Sequence, residues 1–415
     1  MITSQADLKQ KIDQIYRGEG RRIFATLVRL VSDMELAEEV LHEAFAAAME
    51  QWARDGIPPE PRAWLITTAK FKAIDVIRRR GRFEKAIPAL KHSLDIPELQ
   101  AEDWDEAHLR DDQLRLIFTC CHPALSPATQ TALTLREICG LTTEEIAAAF
   151  LTTASTIAQR IVRGKAKIRL AGVPYEVPPL AELPARLESV LSVIYLVFNE
   201  GYSASTGNSL LRADLTREAI RLGRLIVNLL PDAESFGLLA LMLLHESRRE
   251  ARCRSDGDLI LLDEQDRSVW DQGLIREGRF LVESAFATGE VGTYGIQAAI
   301  SLVHALASSA DKTDWIRIVT LYELLKQAGE SPVVELNYAV ALAMRDGPDV
   351  GLPLVIKLIE SGELATYHLA HAAAGDLYRR AGKRGLAKVS YEKALSLCRQ
   401  GPECRFLEKR IIELS

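Results

Sequence analysis

The chain predicts an all-α protein, two small helical domains followed by a larger helical-repeat domain. Three observations carry that reading. Aromatics make up only 6% of the 415 residues while Ala and Leu abound, which favours helices over strands. Capping boxes, prolines at first helical positions and stop glycines punctuate the chain. Near the C-terminus Gly375, Tyr378, Ala387, Tyr391 and Ala394 fall at the small, aromatic and alanine positions of a helix–turn–helix repeat.

Composition narrows the function classes. With 48% hydrophobic and 26% charged residues the chain is globular and long enough for two or three domains. A net charge of −6 argues against a uniformly basic nucleic-acid coat, so local basic segments predict selective contact. The polar start MITSQADLKQK is unlike a signal peptide and no apolar run spans a bilayer, so no membrane contact and a cytoplasmic location are expected. Six cysteines without a CxxC pair read as reduced thiols. Cys120-Cys121-His122 has metal-type residues, but adjacent cysteines rarely ligate one tetrahedral ion. Core packing is the expectation, with no metal and no cofactor.

Taken in order, residues 10–31 read as an amphipathic helix around Ile15, Ile23, Phe24, Leu27 and Leu30. Ser32 to Glu35 has capping-box spacing and restarts the chain. The next helix, ELAEEVLHEAFAAAMEQW, places Leu36, Val40, Ala44 and Ala47 inward and Glu38, Glu39, Glu43 and Glu50 outward. Gly56-Ile57-Pro58-Pro59 breaks it. PRAWLITTAKFKAIDVIRRRGR, residues 61–82, then opens with Pro and closes on Gly81. Leu65, Ala69, Ala73 and Val76 form its expected buried stripe, and Trp64, Thr67, Thr68, Phe71, Asp75, Arg78 and Arg79 its second face. This stretch holds seven Lys/Arg, Lys70 and Arg80 among them, against one acid. Cations suit phosphates and exposed rings suit unstacked bases, so the helix fits opening DNA. A solvated cationic helix with core aromatics is the plainer reading.

From Glu98 to Asp112 seven acids face one Arg, the pattern of a spacer. Ser126-Pro127 starts a helix that stops at Gly140, and Thr142 to Glu145 is a second capping box. A short helix, a turn at Leu151-Thr152 and TASTIAQRIVRGKAKIRL complete a helix-turn-helix. Ile157, Ile161 and Ile168 face inward; Ser155, Thr156, Gln159, Arg160, Arg163 and Lys167 face out. Such a unit lays the N-terminal polar residues of its second helix in the DNA major groove. Five Lys/Arg and no acid between Thr153 and Leu170 suit phosphate contact, whereas Gly164 costs helix propensity.

On these motifs, in this order and spacing, the first 171 or so residues resemble a bacterial RNA polymerase sigma factor of the extracytoplasmic-function type. The resemblance implies a domain over residues 1–83 that binds core polymerase and the minus-ten promoter element. It implies an acidic linker over 84–109 threading the polymerase cleft, and a helix-turn-helix domain over 110–172. The polymerase-gripping face would include Leu36, Glu39, Val40, Glu43 and Ala44. Trp64, Thr67, Thr68, Lys70, Phe71, Asp75, Arg78, Arg79 and Arg80 would recognise and help melt the minus-ten element. Ser155, Thr156, Gln159, Arg160, Arg163 and Lys167 would read the minus-thirty-five element. The expected partners are core RNA polymerase and promoter DNA.

The chain continues past an ordinary member. Pro174, Pro178, Pro179 and Pro184 mark a linker over 173–184. Residues 185–415 resemble the tetratricopeptide-type helical extension of one subgroup, with degenerate repeat copies around Ala339 to Leu358 and Ala299 to Tyr322. Asn199 to Gly207 carries turn residues in an apolar region. Asp263, Glu264, Asp266, Arg267 and Trp270 sit in a charge-dense stretch that makes a poor calcium loop. An internal salt-bridge network is one reading of them; an intramolecular regulatory contact with the basic helices is the other. No nucleophile–base pair, HExxH or phosphate-binding glycine loop is present, so an enzyme is not expected. The competing readings are a stand-alone helix-turn-helix regulator with a helical sensing domain, and a helical-repeat scaffold without DNA dependence.

Overall fold

A computed structural model describes residues 5–81, 106–149, 152–179, 181–202, 213–254 and 257–414. Among them the regular elements are helices, with one isolated bridge between Cys253 and Leu259. The chain divides into two compact units, Met1–Ala148 with Thr152–Val193, and Ala149–Leu151 with Ile194–Ser415.

The first unit opens with three mutually packed helices, α1 (Gln5–Val31), α2 (Met34–Asp55) and α3 (Pro61–Gly81). Phe24, Leu27, Leu41, Leu65 and Ile66 are buried among them. Helix α1 begins before the expected residue 10, and its buried stripe extends back through Ile12 and Leu8. The predicted Ser32–Glu35 capping box does not form. Ser32 adopts φ 52, and Asp33 is the N-cap, its Oδ1 accepting from the N–H groups of Glu35 and Leu36 at 2.8 and 2.9 Å. A carboxylate at the positive end of a helix outcompetes a neutral hydroxyl. Ala48, rather than the expected Ala47, is fully buried on α2.

Residues 84–105 of the predicted acidic linker lie outside the described residues, and its last four belong to α4 (Glu106–Cys120). The salt bridge from Arg29 Nε to buried Asp112 Oδ1, at 2.6 Å, ties this helix to α1. Helix α5 (Pro127–Leu133) runs into a π-turn at Thr134–Ile138, and Gly140 closes it at φ +73. At α6 (Thr143–Ala149) the predicted capping box is present and reciprocal. Thr142 N–H donates to Glu145 Oε2 at 2.7 Å, and Glu145 N–H donates to Thr142 Oγ1 at 3.2 Å. Helix α7 (Ala154–Leu170) is capped by Thr153. Cys120 and Cys121 are buried, as expected of packing residues, and burial pushes both thiols up, Cys121 to about 12.

Helix α8 (Leu183–Tyr202) starts before its expected linker ends, so Pro184 lies in its first turn, where a proline's missing N–H costs nothing. Of the Asn199 to Gly207 stretch, Asn199 to Tyr202 finish α8, and residues 203–207 lie outside the described residues. The second unit continues with α9 (Ala213–Leu229), α10 (Ala233–Glu246), α11 (Gln272–Ala287), α12 (Thr293–Leu306), α13 (Trp315–Ala328), α14 (Pro332–Asp346), α15 (Pro348–Glu360), α16 (His368–Arg380), α17 (Arg384–Leu397) and α18 (Gly401–Glu413). From α12 onward each helix packs on the next. The degenerate copies coincide with the α12–α13 and α14–α15 hairpins, and the readable one with α16–α17. Successive cores follow: Ile296, Ile318 and Leu342; then Leu336, Val355 and Leu377; then Ala387, Tyr391 and Leu407. The repeat glycine has a steric reason, since a Cβ on Gly375 would meet the Tyr391 ring at 2.8 Å. A face that one hairpin cannot bury alone is thus covered by the next, as repeat architectures require.

Candidate nucleic-acid interface

Helix α3 buries Leu65, Ile66, Ala69 and Ala73, while Val76, expected with them, is only half-buried. Its opposite side exposes Thr67, Phe71, Asp75, Arg78 and Arg79. Phe71, Asp75, Arg78 and Arg79 are spaced i, i+4, i+7 and i+8, so one stripe presents a ring and two guanidinium groups together. Phe71 is 63% exposed. Trp64 differs. It is half-buried and meets Trp52 edge to face at 5.3 Å, so it belongs to the bundle packing as much as to the outer face. Thr68 and Lys70 are half-buried; the side chain of Arg80 lies outside those described.

Helix α7 divides along its length. Thr153 Oγ1 accepts from Thr156 N–H at 3.2 Å and lies 2.9 and 2.8 Å from the Ser155 and Thr156 hydroxyls, a polar first turn. Ser155, Thr156, Gln159, Arg163 and Lys167 are exposed and Arg160 half-buried, with Ile157, Ile161 and Ile168 beneath. Gly164, which lowers helix propensity, is required by packing. A Cβ there would stand 2.7 Å from Thr129 Cγ2 and 2.9 Å from Leu133 Cδ1 of α5.

The far half of α7 is held in ion pairs with α2. Lys165 Nζ lies 3.0 Å from Glu38 Oε2 and 3.0 Å from Oε1 of the fully buried Glu137. Arg136 reaches Glu38 Oε1 at 3.5 Å, Arg21 reaches Glu137 Oε2 at 3.5 Å, and Arg169 pairs with Glu35 at 2.8 Å. Glu38, expected on the outside of α2, is therefore engaged. Burial works against the Lys165 ammonium, but Glu137 and Glu38 outweigh it and hold its pKa above the ordinary value. Burial likewise raises Glu38, but Lys165 and Arg136 outweigh it and bring the carboxyl below its usual range. Both groups are thus charged at neutral pH, in a partly desolvated node where each secures the other.

On α2, Leu36, Val40 and Ala44 are buried, as their apolar spacing predicts, so the bundle core takes them rather than the polymerase-gripping face implied by the resemblance. Glu39 and Glu43 are exposed, Glu43 beside Lys72 at 3.3 Å. In the second unit the charge-dense stretch is tied internally. Asp263 pairs with Arg380 at 3.4 Å, Glu264 with Arg410 at 3.0 Å, and Asp266 caps the turn at Ser268. Arg267 donates to the carbonyls of His304 and Ala307 and covers the Trp270 ring, its guanidinium 4.9 Å from the centroid. Trp270 is only 4% exposed, which corrects its expected role at a surface contact. The sequence reading also passes over His368, Cys398 and Glu403, whose ligand-type atoms lie within 4.8 Å of one another; the 2.9 Å pairing of His368 with Glu403 accounts for much of that grouping. Among the described residues no helix is long and apolar enough to cross a membrane.

Residues 15–83 match the family model for sigma-70 region 2, and residues 115–168 that for sigma-70 region 4. Residues 186–286 match a family of unknown function, DUF6596. An uncharacterized protein of Rhizobium meliloti (strain 1021) is 41% identical over 94% of this chain and 92% of its own length. The ECF RNA polymerase sigma factor SigE of Mycolicibacterium smegmatis is 29% identical, over 38% of this chain and 60% of its own. The probable ECF RNA polymerase sigma factor SigI of Mycobacterium tuberculosis is 30% identical, over 36% of this chain and 52% of its own. No solved structure matches the chain.

Proposed function

Because the chain belongs to the RNA polymerase sigma factors of the extracytoplasmic-function type, with a helical domain added at its C-terminus, we propose a division of labour among its helices. Sigma factors act with core RNA polymerase at promoter DNA, and the finer assignment concerns which surfaces do so. Helix α3 engages and opens the minus-ten element through Phe71, Arg78 and Arg79, with Thr67, Lys70 and Asp75 beside them. The first three turns of α7, with Ser155, Thr156, Gln159, Arg160 and Arg163, read the minus-thirty-five element, with Lys167 on the backbone. Glu39 and Glu43 of α2 contribute to docking on polymerase.

The observation that carries this reading is the α3 stripe, where an exposed aromatic ring shares one face with two arginines. An exposed ring beside cations suits a strand-opening protein, which can stack an unpaired base on it. Transcription from a defined template by purified core polymerase, with and without the protein, tests it. Promoter-specific initiation that depends on the protein is expected. Duplex binding without any effect on polymerase would replace this reading with the stand-alone regulator.

The added domain controls the sigma regions in the same chain, in the manner of a tethered regulator at high effective concentration. Asp263, Glu264 and Asp266 remain exposed enough to contribute, while Arg267 and Trp270 serve the interior of their own unit. A chain ending after Tyr202 retains α8, whose Arg186 donates to the Phe118 carbonyl at 2.6 Å. Its initiation activity should differ from that of the full chain, and equal activity at every promoter and salt concentration would remove the regulatory role.

A further inference from the structure

The second unit contains a small cavity whose polar lining is made of donors and neutral imidazoles. His245, Arg248, Trp270, Ser301 and His304 line it together with three aliphatic side chains, and no acid is among them. Its volume is about 30 Å³, room for about two waters.

One buried donor at this cavity lacks an acceptor among the described residues, and a half-buried guanidinium beside it has no ion pair there. The Trp270 indole N–H belongs to a side chain that is 4% exposed and has no hydrogen-bond partner. The half-buried Arg248 guanidinium makes no ion pair or hydrogen bond and only approaches the Tyr202 ring, 5.8 Å from its centroid. A buried donor without an acceptor is costly, and natural structures rarely keep one without a reason.

Positive charge accumulates around the same point. Buried Arg252 covers the Tyr202 ring at 3.5 Å and donates to the Tyr202 carbonyl, and Arg267 donates to the carbonyls of His304 and Ala307. Both donate to neutral carbonyls and neither forms an ion pair among the described residues. Nearby Glu246 pairs with Arg249 at 2.5 Å, and Asp311, which also faces Arg267, is exposed. Burial, then Arg248 and Arg267, push His304 down to about 4; burial, Arg248 and Arg252 push His245 well below its ordinary value. The imidazoles stay neutral in a region whose field disfavours another cation and rewards an anion.

We propose that this cavity is an anion site for the carboxylate of a small organic acid, bound by the Arg248 guanidinium and the Trp270 indole N–H. Its two oxygens are acceptors for these two donors. Ser301, whose Oγ lies 3.1 Å from His245 Nε2, borders the same space and supplies a hydroxyl. Arg267 fixes the site without touching the ligand, since it clamps the Trp270 ring against the last turn of α12. The four oxygens and second charge of a phosphate demand more room and more counter-charge than the cavity supplies. The site requires nothing of the sigma regions, so its existence and their function are tested separately.

The experiment reads the indole N–H resonances of the full-length protein, ¹⁵N-labelled at tryptophan, during titration with sodium acetate, inorganic phosphate or sodium chloride at constant ionic strength. Trp270→Phe assigns the Trp270 signal. Acetate should shift that signal saturably, and Arg248→Gln should weaken binding about tenfold or more, the usual consequence of losing a charged hydrogen bond. Chloride and phosphate should leave the signal in place. No saturable shift with acetate, an equal response in Arg248→Gln, or a saturable response to phosphate or chloride instead would each overturn the proposal. If Trp270→Phe fails to fold, Arg248→Gln decides, because the loss of one saturable indole shift identifies the same site.

Discussion

Helices α3 and α7 are the two basic helices of the first unit, and they spend their charge differently. Helix α3 turns Arg78 and Arg79 to solvent beside an exposed Phe71. Helix α7 exposes its first turns and Lys167 but commits Lys165 to carboxylates in a largely buried node, and Arg169 to an exposed pair with Glu35 of α2. A count of Lys and Arg therefore does not by itself measure a nucleic-acid surface. A cation already neutralised in a desolvated pair has little to offer a phosphate, whereas a solvated one retains its full charge.

The comparison breaks most sharply at Lys165. Lys165→Met should lower the unfolding free energy of the first unit by about 3–5 kcal/mol, because Glu137 stays buried and, among the described residues, keeps only the more distant Arg21 as partner. Lys167→Met, on the exposed side, should change it by no more than about 0.5 kcal/mol. Urea unfolding compares them, and equal effects would mean that the node is a surface pair.

The two aromatics of α3 should separate next. Phe71→Ala should leave the melting temperature nearly unchanged and weaken promoter opening by about 1–3 kcal/mol, the worth of one stacked base. Trp64→Ala should lower the melting temperature as well, since it removes the ring packed on Trp52. Permanganate footprinting beside thermal melting distinguishes them. Normal opening in Phe71→Ala would assign that ring no part in strand separation.

On α7, Arg160→Ala or Arg163→Ala should cost about 1–3 kcal/mol and change sequence preference if the side chain reads a base edge. A phosphate contact would instead reduce the salt slope by about 1. Binding isotherms on promoter variants across a salt series measure both, and unchanged affinity in both variants would move the recognition surface elsewhere.

The smallest expected effect is in pH. Glu38 has its carboxyl lowered from 4.5, so its stabilisation is present above that value and fades as pH falls through the lower folded pKa. Lys165 is raised from 10.5, so its share is present below that value and fades as pH climbs through the higher folded pKa. The stability difference between the natural chain and Glu38→Gln should therefore hold at neutral pH and shrink below about pH 4.5. A difference independent of pH would locate the loss in packing.

Much of this was legible in the residues. Local rules suffice for the capping box at Thr142 and Glu145, the isoleucine stripe of α7 and the glycine under Tyr391, because each partner lies within one helix or one hairpin. The same rules misplaced the cap at Ser32, where two neighbouring side chains compete for one set of N–H groups. Helical spacing placed Leu36, Val40 and Ala44 inward, where the bundle uses them as core, whereas the resemblance offered them as a binding face.

Spacing along the chain dictates the helical framework, the order of the two basic helices and the repeat that follows them. Which charges remain free was decided by tertiary structure alone. Lys165 meets Glu38 across 127 positions, and Arg267 reaches His304 across 37. No periodicity encodes such a meeting. Burial then sets its strength, because the same pair in water would be worth little and the same charge without its partner would not be tolerated inside.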